Sequence, residues 1–542
     1  MAGEITVLLI NLLIVNSKRQ SLKGGADISL DLKVGNLTEP VSNRRWNCQE
    51  ISRQVAGRIR RYQSEGMSAC DRVFVHFGNR LEFFADLLAI WHLGGCVIPI
   101  DARLTAFEVE MLARATTPRF SIVDDTTDPS IVNQMSSANA RVYNTLETEA
   151  HADHSSYRTL PASRIRMEDD ALILFTSGST GGPKGVVHTH RSLRARWEAL
   201  RQNLGLEAYS RTLCVLPTHF GHGLICNCLF PWFSGKELFI TPPFKPNLIM
   251  QLGSLIDKHK ITSMSSVPPV WQLALKLSRP PSQRTLERVH CGSAPLPAYL
   301  WKEIQDWTGI RQVFNTYGIT ETGSWVAGTT IADFTPEDGL IGEPWGALIR
   351  ILKTCDTATL PSPDAECKPG ELGYVWINTP ALMKNYFNRD DLTRQVVCQG
   401  WFVPGDIGFL DERGMLYLKG REREEINKGG VKIYPDDVDA VAKQFDRTTD
   451  VATFGFDDPL YGQDIGMAVS LMDNSNATIR GLYQWMKRRL AEHKMPVRWY
   501  LVDSIPRTSR GKINRISVSE KCTQLAPLDL RKILHASEDG PI

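Results

Sequence analysis

A buried strand that runs straight into a glycine- and hydroxyl-rich loop fixes much of what this chain can be. Ala171–Phe175 is an unbroken apolar run, and Thr176-Ser177-Gly178-Ser179-Thr180-Gly181-Gly182-Pro183-Lys184-Gly185 follows it directly. Glycines let backbone N–H groups approach phosphate oxygens, hydroxyls add donors, and Lys184 adds a positive charge. The loop therefore reads as a polyphosphate cradle at the end of a sheet strand. It is not a Walker A loop, which ends in Gly-Lys-Ser/Thr; here Pro183 precedes the lysine and Gly185 follows it.

The flanking sequence supplies the sheet. Glu50–Tyr62 has helix-spaced apolar residues, Arg72–Phe77 reads as a strand, and Phe83–Leu93 as an apolar helix that stops at Gly94-Gly95. Cys96–Ile100 and Phe120–Val123 read as further strands. Such alternation predicts a parallel α/β sheet. The polar stretch Asp125–Arg166 predicts a surface connection with a minor strand. Strands and helices alternate again over Arg211–Pro297, a second α/β unit. Short strands with Gly/Pro turns over Ile341–Phe409 suit a small β-barrel. The charged run 420–425 beside Lys428-Gly429-Gly430 reads as a linker or hinge.

At 542 residues the chain has room for two to four structural units. Lys plus Arg is 62 against 60 for Asp plus Glu, a balance that excludes a chain built to coat nucleic acid. The 11 cysteines are scattered without a Cys-x-x-Cys pair, which predicts a reducing, cytoplasmic setting. Val7–Val15 is strongly apolar but short of the ~20 residues that a bilayer needs. With Glu4 before it, it reads as a packed strand or short helix rather than a signal peptide. No membrane span is expected.

Leu174–Val186 resembles the signature loop of the adenylate-forming superfamily, which includes acyl- and aryl-CoA synthetases. Further motifs follow in order. Asn315-Thr316-Tyr317-Gly318-Ile319-Thr320-Glu321 resembles Tyr-Gly-x-Thr-Glu, and Gly400-Trp401-Phe402 with Gly405-Asp406 resembles Gly-Trp-Phe-x-Thr-Gly-Asp. Gly420-Arg421 resembles the motif before the hinge, and Pro506-Arg507-Thr508 with Gly511-Lys512 the terminal lysine motif. The likeness runs from about residue 47 to residue 515, and the motifs taken together are highly specific.

The resemblance implies a reaction. A carboxylate attacks the α-phosphorus of ATP, giving acyl-AMP and pyrophosphate, and a thiol then displaces AMP. Thr176, Ser177, Ser179, Thr180 and Lys184, with the backbone at Gly178 and Gly181, would hold the β- and γ-phosphates. Thr320 would contact the α-phosphate and Glu321 would bind Mg²⁺, a cation that prefers oxygen ligands. Tyr317 would stack on adenine, flanked by Gly292, Ser293, Ala294, Asn315 and Gly318. Asp406 would accept from both ribose hydroxyls, with Arg421 beside it. Lys512 would bridge the carboxylate and the α-phosphate and lower their repulsion. Arg423 falls at the hinge position, where Asp or Lys is usual. Gly429 and Gly430 match the loop beside the thiol tunnel.

By the same resemblance, residues 1–419 form a large domain of two α/β subdomains and a β-barrel. Residues 420–424 form a hinge, and 425–542 a small mobile α+β lid, with the active site between the two domains. Pro404 stands where Thr is usual, removing one hydroxyl and one backbone donor.

The acid pocket maps to Leu216–Leu224. Many synthetases carry a gating His at the Phe220 position; here His219 and His222 flank Phe220, and the role stays open between His219 and Phe220. His222, Gly292 and Trp325 are the other expected walls. No acidic residue lies between Leu213 and Ser234 to pair an α-ammonium group, which disfavours amino acids. Aryl or aliphatic carboxylic acids fit better, and Trp325 points to a compact or aromatic one. His219, His222, Cys226 and Cys228 superficially suggest zinc. The Cys-x-Cys spacing is tighter than zinc sites use, and on a strand both thiols would face one core.

The acceptor is coenzyme A or the phosphopantetheine arm of an acyl carrier protein. The sequence also admits an adenylating enzyme whose acceptor is an amine or whose substrate is another oxyanion. A third reading is a non-catalytic relative that acts as a binding module, against which the intact Lys184, Glu321, Asp406 and Lys512 argue.

Overall fold

The structure is a computed structural model that describes residues 33–147, 165–176, 184–242, 246–330, 334–358, 363–421, 425–507 and 513–535. The described residues fall into two compact units. One holds those of Met1–Ala102, Thr116–Phe175 and Gly185–Glu422; the other holds those of Arg103–Ala115, Thr176–Lys184 and Arg423–Ile542. The apolar run Val7–Val15 lies outside the described residues.

The expected alternation is present in the first unit. Strand Arg72–His76 pairs in parallel with Cys96–Pro99 on one side and Phe120–Val123 on the other. Cys96–Pro99 continues to Asp170–Thr176, the strand that leads into the phosphate loop. The sheet has seven strands, and its far edge is Asn385–Tyr386, antiparallel to Lys184–Thr189. Helix Leu81–His92 is buried along its whole length, as an all-round apolar helix must be. Of its two acids, Glu82 pairs with Arg44, and Asp86 is neutralised by Arg58 at 2.6 Å and accepts from Tyr62 Oη at 2.6 Å and Thr145 Oγ1 at 2.7 Å.

The second sheet begins as a parallel set. Glu237–Ile240, Arg211–Cys214, Ser263–Ser266, Arg288–Gly292 and Val313–Ile319 lie side by side. It turns antiparallel at Ser324–Gly328 and runs on through Leu340–Pro344, Leu416–Arg421, Asp406–Leu410 and Gly373–Asn378. The short strands expected over Ile341–Phe409 include Leu340–Pro344, Leu348–Leu352, Gly373–Asn378 and Asp406–Leu410. One hydrophobic core, from Val73 and Leu172 to Val289 and Trp325, spans both sheets.

Two expectations need correction. The Asp125–Arg166 stretch contains a helix, Pro129–Ser137, as well as the edge strand Arg141–Asn144. Its signal was present: Asp128 caps the Ser130 N–H at 2.7 Å and Pro129 opens the helix. Only Ile131 and Met135 are buried, so apolar periodicity was too sparse to reveal it. Cys226 and Cys228 are not on a strand but in a π-helix, His222–Leu229, where both are buried. Every residue of that segment is buried, and a period of two does not apply.

The second unit has a five-stranded sheet. Thr448–Asp458 and Gly462–Leu471 form a long hairpin, and Arg498–Leu501 adds in parallel. Ile426–Lys428 and Val431–Ile433 form a small hairpin whose turn is Gly429-Gly430, with φ of 63° and 86°. Both positions lie in the left-handed region that favours glycine. Helices Pro435–Lys443, Asn476–Lys487 and Arg515–Thr523 accompany the sheet, and a buried Arg515–Asp439 pair at 2.8 Å ties two of them. Among the described residues, no helix is long and apolar enough to cross a membrane.

Candidate active site

Strand Val313–Ile319 delivers most of the described site. Its last residues bulge between Tyr317 and Gly318, and a short 3₁₀ turn, Thr320–Thr322, follows. Gly318 is required there: a Cβ would lie 2.2 Å from the Ser324 carbonyl oxygen. Gly292, on the neighbouring strand, is equally tight, with a Cβ 2.3 Å from Thr316 Oγ1. Asn315 is buried and spends its amide on the Leu340 carbonyl at 2.7 Å.

Tyr317 donates its hydroxyl to Asp406 Oδ2. The expected adenine ring partner and the expected ribose acceptor are thus joined directly. Asp406 is in turn the register partner of Arg421 across two antiparallel strands. The Arg421 side chain lies outside the described residues.

Every carbonyl of the Thr320–Thr322 turn is held. His188 Nε2 donates to Thr320 O at 2.7 Å, Met383 N to Glu321 O at 2.7 Å, and Arg196 Nη2 to Thr322 O at 2.9 Å. Burial pushes the His188 imidazole down to about 4, so it is neutral near pH 7. A carbonyl accepts only, so the neutral ring carries its proton on Nε2. Arg196 is fully buried and pairs with no carboxylate among the described residues; Trp345 O at 2.8 Å and Thr379 Oγ1 at 3.3 Å complete its cage. Desolvation lowers it to about 10, still protonated at neutral pH. The Glu321 carboxylate accepts from Tyr386 Oη at 2.6 Å.

His222 is buried at the start of the π-helix between two hydroxyls, Ser293 Oγ at 2.7 Å from Nδ1 and Ser265 Oγ at 2.6 Å from Nε2. Burial drives it down to about 3. Ser293 holds its hydroxyl there from a left-handed backbone, φ 63°. Trp325 packs edge-on against His222 at 5.2 Å and stacks on His290 at 4.4 Å. His290 bonds Tyr209 Oη at 2.7 Å. A wall of aromatic rings therefore stands behind His222. His219 and Phe220 are half-buried, edge to face at 4.7 Å, with His219 Nε2 3.4 Å from Asp101 Oδ2.

The phosphate loop is described at its ends. Thr176 closes one strand and Lys184, 9% exposed, begins the next; Thr176 Oγ1 lies 3.5 Å from Lys184 O. Ser177, Gly178, Ser179, Thr180 and Gly181 lie outside the described residues, as do Arg423 and Lys512. The sequence reading did not pick out His188, Arg196, Ser265 or Tyr386. Arg196 had a signal, since it occupies an apolar-stripe position with Leu193 and Leu200 on helix His190–Leu204. Tyr386 sits on a two-residue strand and had none.

The AMP-binding enzyme family matches residues 36–387, more than half of the chain, and the AMP-binding enzyme C-terminal domain matches 437–512. The chain belongs to the AMP-binding enzyme family. It is an enzyme of the AMP-forming acid–thiol ligase class: ATP activates a carboxylate as acyl-AMP, pyrophosphate leaves, and a thiol takes the acyl group. A probable CoA ligase of Humulus lupulus is 28% identical, the match covering 84% of this chain and 88% of the relative. The 2-succinylbenzoate–CoA ligase of Geobacillus kaustophilus is 29% identical, covering 86% of this chain and 91% of the relative. Among solved structures, an o-succinylbenzoate CoA synthetase from Bacillus subtilis bound with a product analogue matches with a TM-score of 0.79 at 22% identity, over 90% of this chain and 96% of that one. The amide bond synthetase of Marinactinospora thermotolerans matches at 0.75 and 22% identity, over 90% of this chain and 97% of that one. These structures share the fold.

Proposed function

We propose that this AMP-binding enzyme joins a compact aryl or aliphatic carboxylic acid, not an amino acid, to the thiol of coenzyme A. The observation that carries the nucleotide half is the Tyr317–Asp406 bond at the end of the strand that also presents Thr320 and Glu321. Tyr317 offers its ring to adenine and steadies the carboxylate that accepts from the ribose. Gly292, Ser293 and Ala294 line the adenine side with Gly318. Arg421 adds the second ribose contact.

Two anions must meet for adenylation, so the chemistry is mostly positioning and neutralisation. Thr176, the loop residues 177–181 and Lys184 take the β- and γ-phosphates, and Thr320 the α-phosphate. Lys512 bridges the α-phosphate and the incoming carboxylate. Glu321 fits a hard cation: it is a half-exposed carboxylate with one oxygen on Tyr386, and its other oxygen accepts no bond among the described residues. Mg²⁺ held there would neutralise the phosphates.

The aromatic wall behind His222 supports the compact acid, and the absence of acidic residues from Leu213 to Ser234 argues against an α-ammonium group. His219 and Phe220 form the gate. Curated relatives named as CoA ligases support coenzyme A over a carrier-protein arm. The hinge is 420–424 with Arg423, between a domain of residues 1–419 and a lid of residues 425–542. The lid presents Lys512 for the first step and Gly429-Gly430 for the second. Eleven free thiols suit a reducing cytoplasm.

ATP–pyrophosphate exchange across a panel of aryl, short-chain and long-chain acids, each repeated with coenzyme A, tests this reading. Exchange with aryl or short acids and formation of their CoA thioesters supports it. Acyl-AMP that coenzyme A does not consume would shift the acceptor to a carrier arm or an amine. Lys512→Ala should abolish exchange while leaving ATP affinity intact.

A further inference from the structure

A short strap, residues 383–387, makes bonds to two parts of the site. On one side it pairs with the strand that begins at Lys184: Asn385 and Tyr386 are register partners of Val187 and Val186. Lys384 N donates to Val187 O at 2.8 Å and Phe387 N to Gly185 O at 2.7 Å. On the other side Met383 N donates to Glu321 O at 2.7 Å, and Tyr386 Oη donates to Glu321 Oε1 at 2.6 Å. The Tyr386 ring is 4% exposed and sits in the cluster that contains Val186, Ile319 and Met383. Its backbone N–H is fixed by Thr393 Oγ1 at 3.0 Å.

A glutamate side chain rotates about three bonds, and an unrestrained carboxylate loses that freedom on binding a cation. A carboxylate has more acceptor sites than one phenol can occupy. A hydroxyl that holds Oε1 from a buried ring leaves Oε2 presented in one orientation.

We propose that Tyr386 is a positioning residue for the Glu321 carboxylate, setting the rotamer in which its other oxygen meets the divalent cation that accompanies the nucleotide. This rests on the reading of Glu321 as the cation's protein ligand. Partners that orient a metal ligand typically contribute about 10–100-fold in metal affinity.

The test uses Mn²⁺ in place of Mg²⁺ and follows its binding by electron paramagnetic resonance in the presence of a non-hydrolysable ATP analogue. Wild type, Tyr386→Phe, Glu321→Gln and the double variant are compared. Metal-free AMP affinity and the urea midpoint are measured alongside. Tyr386→Phe keeps the packed ring and removes only the donor. The expected result is Mn²⁺ affinity about tenfold weaker in Tyr386→Phe, AMP affinity unchanged, and no further loss when the change is added to Glu321→Gln. Three results overturn the proposal: wild-type Mn²⁺ affinity in Tyr386→Phe, an equal loss on the Glu321→Gln background, or a parallel loss of AMP affinity. If Glu321→Gln itself binds Mn²⁺ as wild type does, the underlying reading of Glu321 fails as well.

Discussion

The imidazole of His188 closes on the carbonyl oxygen of Thr320, Nε2 to O 2.7 Å, from the strand that follows the phosphate loop. The turn that carries Thr320 and Glu321 is thus pinned to that strand by a neutral donor. Replacing His188 by Phe keeps most of the volume and removes the donor. The Thr320 carbonyl then keeps only its bond from Gly323 N at 3.0 Å, and the lost hydrogen bond costs about 0.5–1.5 kcal/mol. We expect urea unfolding to report that loss, and pyrophosphate exchange to fall about tenfold as the turn loosens. AMP affinity should stay close to wild type, because Tyr317 and Asp406 are bonded independently of the turn.

Acid should destabilise the first unit through its buried histidines. Burial lowers His188 and His190 to about 4 and His222 to about 3, and His290 well below the ordinary range. The unfolded chain takes up these protons near pH 6.5 while the folded chain resists them until about pH 4 or 3. Stability is therefore full above about pH 6.5 and is lost progressively as the pH falls from there to the folded values, where the loss is complete. His190 isolates the effect, since its shift comes from burial alone and its Nε2 has no partner among the described residues. We expect His190→Leu to recover about 2 kcal/mol at pH 5 relative to pH 7. Urea midpoints of both proteins at the two pH values measure it.

How far the sequence carried depended on what kind of signal each part leaves. Phe120–Val123 was legible to the residue because a strand buried on both faces is rich in apolar and β-branched residues, here Phe120, Ile122 and Val123. The motif residues were located by their order along the chain, and Tyr317, Thr320, Glu321 and Asp406 lie on or beside one strand end. The holders of that turn were not. A hydrogen bond from His188 to Thr320 joins positions 132 residues apart, and nothing local in either segment encodes it. Tyr386 and Glu321, 65 residues apart, are the same case. The Cys226–Cys228 segment misled because an apolar run of that length suits a strand or a buried helix equally.

Asp406 and Tyr317 should behave as a coupled pair toward ATP. Asp406→Asn keeps the shape but replaces one acceptor oxygen by a donor, so it cannot accept from both ribose hydroxyls and from Tyr317. Hydrogen bonds to a charged group contribute about 1.5–3 kcal/mol, which corresponds to roughly a 10–100-fold rise in KM for ATP. Tyr317→Phe removes the donor alone and should raise KM by less. Residues in direct contact are not additive, so the double variant should fall short of the product of the two effects. Steady-state kinetics with ATP varied at saturating acid reads this directly.

The acid range should be set by Trp325. Its indole is 2% exposed, lies edge-on to His222 at 5.2 Å and is stacked on His290 at 4.4 Å, which is itself bonded to Tyr209. A straight chain running past His222 meets these rings, whereas a short or flat acid stops before them. Trp325→Leu removes ring volume but keeps an apolar wall, and is preferable to Ala because a full truncation in a core costs about 3–5 kcal/mol. One methylene in an apolar pocket is worth about 1–3 kcal/mol of discrimination. The ratio of kcat/KM for a medium-chain straight acid over benzoate should therefore rise about tenfold or more in Trp325→Leu. An unchanged ratio in a folded variant would mean that the pocket ends elsewhere.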